Sequence, residues 1–296
     1  MKVNVLLSTY NGEKYLRTQL ESLLSQSAET TICIRDDGST DGTAELLREY
    51  ESRERIRVTY GENVGYVSSF FTLLRENGDA DAFAFCDQDD EWLPDKLERA
   101  AAVLSAAGES VPTLYVGNYD YYDGAMRFVS HHVQPKNIGF ENALADCVTP
   151  GFCQVMNRAL REEIVANIPE SACVHDWWVY LVAAARGQVI PDETVTAHYR
   201  RHERNASVTG AGFWKLQLWR FRTFFLDGYF NRITAQLREF ERLYAAALTA
   251  AQRKTLALFT EKNAGTALQK LAYPHRWRQG LADEILLRLC FLLGKL

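Results

Sequence analysis

"FAFCDQDDEW", residues 83–92, runs an apolar stretch straight into three aspartates and a glutamate. A short all-apolar run bounded by polar residues reads as a strand buried on both faces. Two carboxylates about 4 Å apart repel by roughly 4 kcal/mol at an effective dielectric near 20. A buried strand that ends in such a cluster needs something to offset the charge, and a divalent cation does so.

Working outward, the same pattern recurs upstream. "VNVLLSTYN" (3–11), "TTICIRDDGSTDGT" (30–43) and "RIRVTYG" (55–61) each begin as an apolar strand, and the first two end in polar residues. Between them lie "GEKYLRTQLESLLSQS" (12–27), "TAELLREYESR" (43–53) and "YVSSFFTLLREN" (66–77), which have helical spacing. Strands alternating with helices over short links predict βαβ units: an α/β fold with a Rossmann-like, mostly parallel sheet flanked by helices. Open sheets of this kind bind ligands beyond the carboxyl ends of their strands. Ser8 to Asn11, Asp36–Asp37 and Asp87 to Asp90 are therefore expected along one rim.

Downstream, the spacing predicts a helix over 93–108 with Pro94 in its first turn, a strand and turn over 113–124, and a short apolar helix over 175–187. Residues 188–210 read as a strand and a polar loop, and 125–173 has no regular pattern. From Phe213 the pattern is helical, with Ile233, Leu237, Phe240, Tyr244 and Ala247 on one face. The chain divides into 1–110, 111–210 and a helical extension, 211–296.

The 296 residues carry a net charge of −5, which argues against a nucleic-acid partner. Residues 211–296 hold 14 Lys and Arg against 6 Asp and Glu, an excess of +8, so the remainder carries −13. Phe213, Trp214, Trp219, Phe221, Phe224, Phe225 and Trp277 accompany that basic charge. Basic helices bearing aromatics suit a peripheral contact with anionic membrane; the plainer alternative is a small helical subdomain. Six cysteines without paired spacing, no leader-like start and no apolar run of 18 residues point to a cytoplasmic protein, at most on the inner face of the cell membrane.

Each motif has a bland reading. "DDGSTDGTAELL" fails as a calcium loop because Arg48 stands where a bidentate Glu is required, and Ser39 to Gly42 suit a turn before a helix. A D-x-D triplet alone is equally a solvated acidic turn. Its place after a buried strand favours one or two carboxylates holding Mg2+ or Mn2+ together with phosphate oxygens. Asp176 in "VHDWW" (174–178) is either a helix cap or a base.

Four blocks in order, "LLSTYNGEKYLRTQLESLLSQ", "IRDDGSTDGT", "NVGYVSSF" and "FCDQDDEWLPDKL", resemble the family-2 glycosyltransferases, which have the GT-A fold and take sugars from nucleotide diphosphates. "CDQDDEW" and "YRRHERNASVTG" are most similar to the bacterial rhamnosyltransferase-type subgroup. The resemblance spans residues 1–210. It implies that Ser8, Thr9 and Tyr10 line the nucleotide pocket, and that Asp37, with Asp36, accepts the imide N–H of a uracil or thymine. Asn63 and Gly65 allow close backbone approach, Asp87 sits near the ribose, and Asp89 binds the metal. Asp90 and Glu91 are supporting or helix-start residues. His202 touches metal or diphosphate; Arg200, Arg201 or Arg204 pairs with phosphate. Asp176 is the catalytic base, with His175 where the family often has an acid, and Trp177 or Trp178 stacks on sugar unless it is core.

The expected activity is inverting transfer of a sugar, rhamnose from a dTDP donor among the options, to a surface glycan or lipid-linked acceptor. Two rivals remain open. A nucleotidyltransferase would need a richer Gly/Lys loop than "STYNGEKYL"; a non-catalytic nucleotide-sugar binder would tolerate loss of Asp176.

Overall fold

A computed structural model describes residues 1–203, 228–261 and 263–295. They form two compact units: Met1–Gln134 with Thr149–Ile168 and Val174–Arg201, and Pro135–Val148 with Pro169–Cys173 and His202–Leu296.

The first unit is built on one nine-stranded sheet. Its strands are β1 (Val3–Thr9), β2 (Thr30–Asp36), β3 (Ile56–Tyr60), β4 (Ala82–Cys86), β5 (Glu91–Trp92), β6 (Thr113–Tyr122), β7 (Phe128–His131), β8 (Gln154–Asn157) and β9 (Gln188–Arg200). The order is β3-β2-β1-β4-β8-β6-β9-β5, with β7 on β6. β3, β2, β1 and β4 are parallel neighbours, with Val5 opposite both Ile32 and Ala84. Burial on both faces explains their apolar runs: Val3, Val5, Leu6 and Leu7 in β1, and Phe83 to Cys86 in β4, are fully enclosed.

Helices α1 (Glu13–Leu24), α2 (Thr43–Tyr50), α3 (Tyr66–Glu76) and α4 (Lys96–Ala107) supply the connections. α1 buries Leu16, Leu20 and Leu23, and α3 buries Phe70, Phe71, Leu73 and Leu74. Two stretches differ from the sequence reading. Glu91 and Trp92 do not open a helix. They pair antiparallel with His198 and Ala197 of β9, and α4 starts only at Lys96, after Pro94. The 125–173 stretch is not irregular: it holds β7, α5 (Phe140–Ala143), β8 and α6 (Arg158–Val165). β8 inserts antiparallel between β4 and β6, so the sheet reverses direction there. Four residues are too few to show a period.

α7 (His175–Arg186) is nearly all core. Trp177 and Trp178 are both buried, which removes them as exposed sugar-stacking surfaces.

The second unit contains α5, α8 (Tyr229–Tyr244), α9 (Ala250–Thr260), α10 (Ala264–Leu271) and α11 (Leu281–Leu292). The expected stripe of α8 is buried at Ile233, Leu237, Phe240 and Tyr244, whereas Ala247 lies past the helix end and is exposed. Thr249 and Gln252 cap α9 reciprocally. Trp277, a candidate membrane aromatic in the sequence, is fully buried. Its ring stacks on Tyr273 at 4.1 Å and meets Phe259 edge-on at 4.9 Å. The other aromatics proposed for that role, Phe213 to Phe225, lie outside the described residues, as does Arg204.

Candidate active site

The rim is tied together by side chains that loop from one strand end to the next. Gln88, the middle residue of the D-x-D triplet, reaches β1: its Oε1 accepts from the Thr9 hydroxyl at 2.6 Å and the Tyr10 N–H at 3.0 Å, and its Nε2 donates to the Tyr10 carbonyl at 3.3 Å. This fixes the acidic turn against Ser8–Tyr10. Nothing in the sequence marked Gln88, because an amide between two aspartates reads as a spacer. Ser8 Oγ lies 2.7 Å from Ser69 Oγ of α3, Thr9 is buried, and the Tyr10 ring is exposed at the rim.

The second loop is knitted similarly. Asp36 is buried and its Oδ1 accepts from the backbone N–H and hydroxyl of Ser39, closing a turn. Asp41 Oδ1 accepts the Thr43 N–H at 3.0 Å, so this part of the motif takes the bland role. Asp37 is almost fully buried. It pairs with Arg35, and its oxygens accept the Val64 N–H at 3.0 Å and the Gly65 N–H at 2.9 Å. Asn63 Oδ1 also accepts from Gly65, at 3.1 Å. Asp37, Asn63 and Gly65, separate in sequence, therefore share one turn. Gly65 has φ of +81°, a conformation glycine adopts without penalty. A carboxylate has about four lone-pair sites, and three partners leave Asp37 one.

The acidic turn comes next. Asp90 is fully buried and its Oδ1 accepts the Arg200 N–H of β9 at 3.1 Å; its Oδ2 has no hydrogen-bond partner among the described residues. Arg200 Nε donates to the Asp89 carbonyl at 2.9 Å, and its guanidinium sits 4.7 Å from the Tyr15 ring. Arg201 is stacked 3.6 Å above Tyr121. Behind the turn, Lys96 is fully buried, donating to Thr196 Oγ1 at 3.3 Å and lying 4.6 Å from Trp92.

Asp176 opens α7. Its Oδ2 accepts the Gly151 N–H at 3.1 Å and its Oδ1 accepts the Trp177 N–H at 2.7 Å, so it also serves the helix start. Gln154 donates to the Asp176 carbonyl at 2.9 Å. His175, next to it, is buried with its ring stacked on Phe70 at 4.0 Å and edge-on to Phe85 at 4.7 Å. Neither of its nitrogens has a partner among the described residues, and burial pushes it down to about 3, so it is neutral. A neutral ring with so low a value is a poor proton acceptor at ordinary pH.

Electrostatics join the two acidic positions. Asp87 is pushed up to about 8, first by burial and then by the charges on Asp89 and Asp176. Asp90 is held well above the usual carboxylate range by burial, then by Asp89 and Asp87. Asp87 and Asp89 follow β4 and Asp176 opens α7, yet the charges of Asp89 and Asp176 both act on Asp87. No group of three or more His, Cys, Asp or Glu side chains forms a ready-made metal cage among the described residues. Oxygen donors in a field this negative fit Mg2+ or Mn2+ carried by one or two carboxylates and completed by phosphate oxygens. His202 belongs to the second unit.

A doubly wound sheet extended by antiparallel strands, with helices on its faces and an acidic rim at its strand ends, defines a glycosyltransferase of GT-A fold. The chain belongs to glycosyl transferase family 2, which it matches over residues 4–168. It is 28% identical over 213 residues to the dTDP-rhamnosyl transferase RfbG of Shigella flexneri, covering 67% of this chain and 72% of that one. It is 25% identical over 207 residues to the uncharacterised Mycobacterium tuberculosis protein Rv1520, covering 68% of this chain but only 59% of the relative. Among solved structures, S. aureus TarS 1–349 in complex with UDP-GlcNAc superposes with a TM-score of 0.62 at 18% identity, over 96% of this chain and 81% of that one. The Pyrobaculum calidifontis mannosyltransferase PcManGT, in complex with GDP-Man and Mn2+, gives 0.52 at 16%, over 99% and 85%. Likeness at these identities is one of fold.

Proposed function

We propose that this chain is an inverting, metal-dependent glycosyltransferase that moves a sugar from a dTDP or UDP donor to a cell-surface glycan or lipid-linked acceptor on the inner face of the cell membrane. dTDP-rhamnose is the first donor to test, on the strength of the RfbG likeness. The observation that carries the reading is that Asp89 and Asp176, from two distant chain segments, both act on the buried carboxyl of Asp87.

In this reading residues 1–110 bind the donor and 111–210 the acceptor. Ser8, Thr9 and Tyr10 line the nucleotide pocket, and Asp37, through its remaining lone pair, accepts the base imide N–H. Asp36 shapes that loop, while Asn63 and Gly65 let the backbone approach. Asp87 faces the ribose. Asp89 would hold Mg2+ or Mn2+, which when bound offsets the charge of the diphosphate leaving group. Asp176 takes the acceptor hydroxyl proton as that oxygen attacks the sugar carbon opposite the departing diphosphate. The Gly151 and Trp177 N–H groups hold the Asp176 carboxylate in place. The transition state has oxocarbenium character.

A thermal-shift panel of nucleotide diphosphate sugars, with and without Mn2+, tests the reading. A donor at 100 times its dissociation constant stabilises by about 2.7 kcal/mol. If no donor shifts the melt in either condition, and none is turned over with glycan acceptors, the proposal fails.

A further inference from the structure

Helix α11 wears its charges inward and its leucines outward. Leu287, Cys290 and Phe291 pack into the second unit. Glu284 is also buried there, accepting the backbone N–H groups of Trp277 at 3.0 Å and Arg278 at 2.9 Å. Arg288 turns back to Glu284 and to the carbonyls of Leu271, Tyr273 and His275. On the other side Leu281, Ile285, Leu289 and Leu292 follow at spacings of four, four and three. They remain 58%, 53%, 49% and 61% exposed, and Leu293 is 63% exposed. An ordinary surface helix reverses this arrangement. A contiguous apolar face of this kind marks a contact with a partner or a membrane.

We propose that this α11 face lies in the interfacial layer of an anionic membrane. Charge selects that occupant. Residues 228–296 carry 11 Lys and Arg against 5 Asp and Glu. A second copy of the chain would bring its own exposed Arg276 and Lys295 to the contact, whereas anionic lipid brings their complement. Exposed Arg276 and Lys295 flank the helix at either end. The twelve residues span about 18 Å, a length that lies along an interface rather than across it. Among the described residues no helix is long and apolar enough to cross a membrane. The lipid-linked acceptor of the proposed function gives this contact its purpose, but the contact itself requires no catalysis.

The test is co-sedimentation of the full chain, without donor, with vesicles of phosphatidylglycerol and phosphatidylethanolamine, and with pure phosphatidylcholine. The expected result is binding to the anionic vesicles, weakened at least about tenfold by Leu281→Ser/Ile285→Ser/Leu289→Ser and made less salt-dependent by Arg276→Glu/Lys295→Glu. The serine variant keeps the wild-type melting temperature and its transfer to a water-soluble acceptor, which separates loss of this contact from failure of the enzymatic reading. Wild-type protein that stays in the supernatant overturns the proposal. So does a serine variant that sediments like wild type, or a wild-type dimer in sedimentation equilibrium that the serine variant abolishes.

Discussion

The Gly151 N–H donates to Asp176 Oδ2 at 3.1 Å, and a β-carbon added at Gly151 would lie 2.8 Å from Nε2 of His175. One glycine thus meets both members of the His175–Asp176 pair, across 25 residues of chain. Gly151→Ala forces the buried imidazole or the backbone to move. The expected cost is about 1–3 kcal/mol in urea unfolding, with kcat lowered and Mn2+-dependent donor binding retained. Wild-type kcat in this variant would show that the contact does not position Asp176.

Asp176→Asn keeps the shape and the acceptor oxygen but removes the basicity. Transfer should fall about 10²–10⁴-fold, while the donor-induced thermal shift stays at its wild-type size. Full activity in this variant would remove Asp176 as the base.

Asp89→Asn should separate metal from nucleotide. The expectation is loss of the Mn2+-dependent part of the donor shift, with the metal-independent part unchanged. A variant that still responds to Mn2+ as wild type does would move the metal to another group.

Gln88→Leu removes the acceptor of the Thr9 hydroxyl, which is buried, and of the Tyr10 N–H. Leaving the buried Thr9 hydroxyl unpaired costs about 1–3 kcal/mol. The loss should appear in the urea midpoint and as weaker donor binding, because the D-x-D turn is no longer tied to β1. An unchanged midpoint would show that water replaces the amide there.

His175 sets a pH dependence of known sign. Its folded value of about 3 lies below the usual 6.5, so below pH 6.5 the unfolded chain takes up the proton first. Its stabilising contribution is complete above pH 6.5 and is lost as pH falls toward 3, by about 2 kcal/mol at pH 5. Asp87, raised to about 8, acts oppositely: the folded protein holds its proton first, so its contribution grows as pH falls through 8. The difference between wild type and His175→Phe isolates the histidine. In chelator-containing buffer, the variant should lose less stability than wild type between pH 7 and pH 5. Parallel curves would show that the ring takes up its proton in the folded chain at the same pH as in the unfolded one.

The sequence by itself determined the parallel half of the sheet and the place of its acidic rim. A strand buried on both faces must be apolar throughout, and its polar end must face the opening, so β1, β2, β4 and Asp87–Asp90 are written in local composition. The tertiary structure alone decided how the rim is held. β8 is four residues long, Gln88 looks like a spacer, and Gly151 looks like a turn; each acts through a partner 22 to 79 residues away. The same holds for Trp177, Trp178, Trp277 and the leucines of α11. Hydrophobicity says that a side chain avoids water, but only packing decides which of two apolar faces is covered.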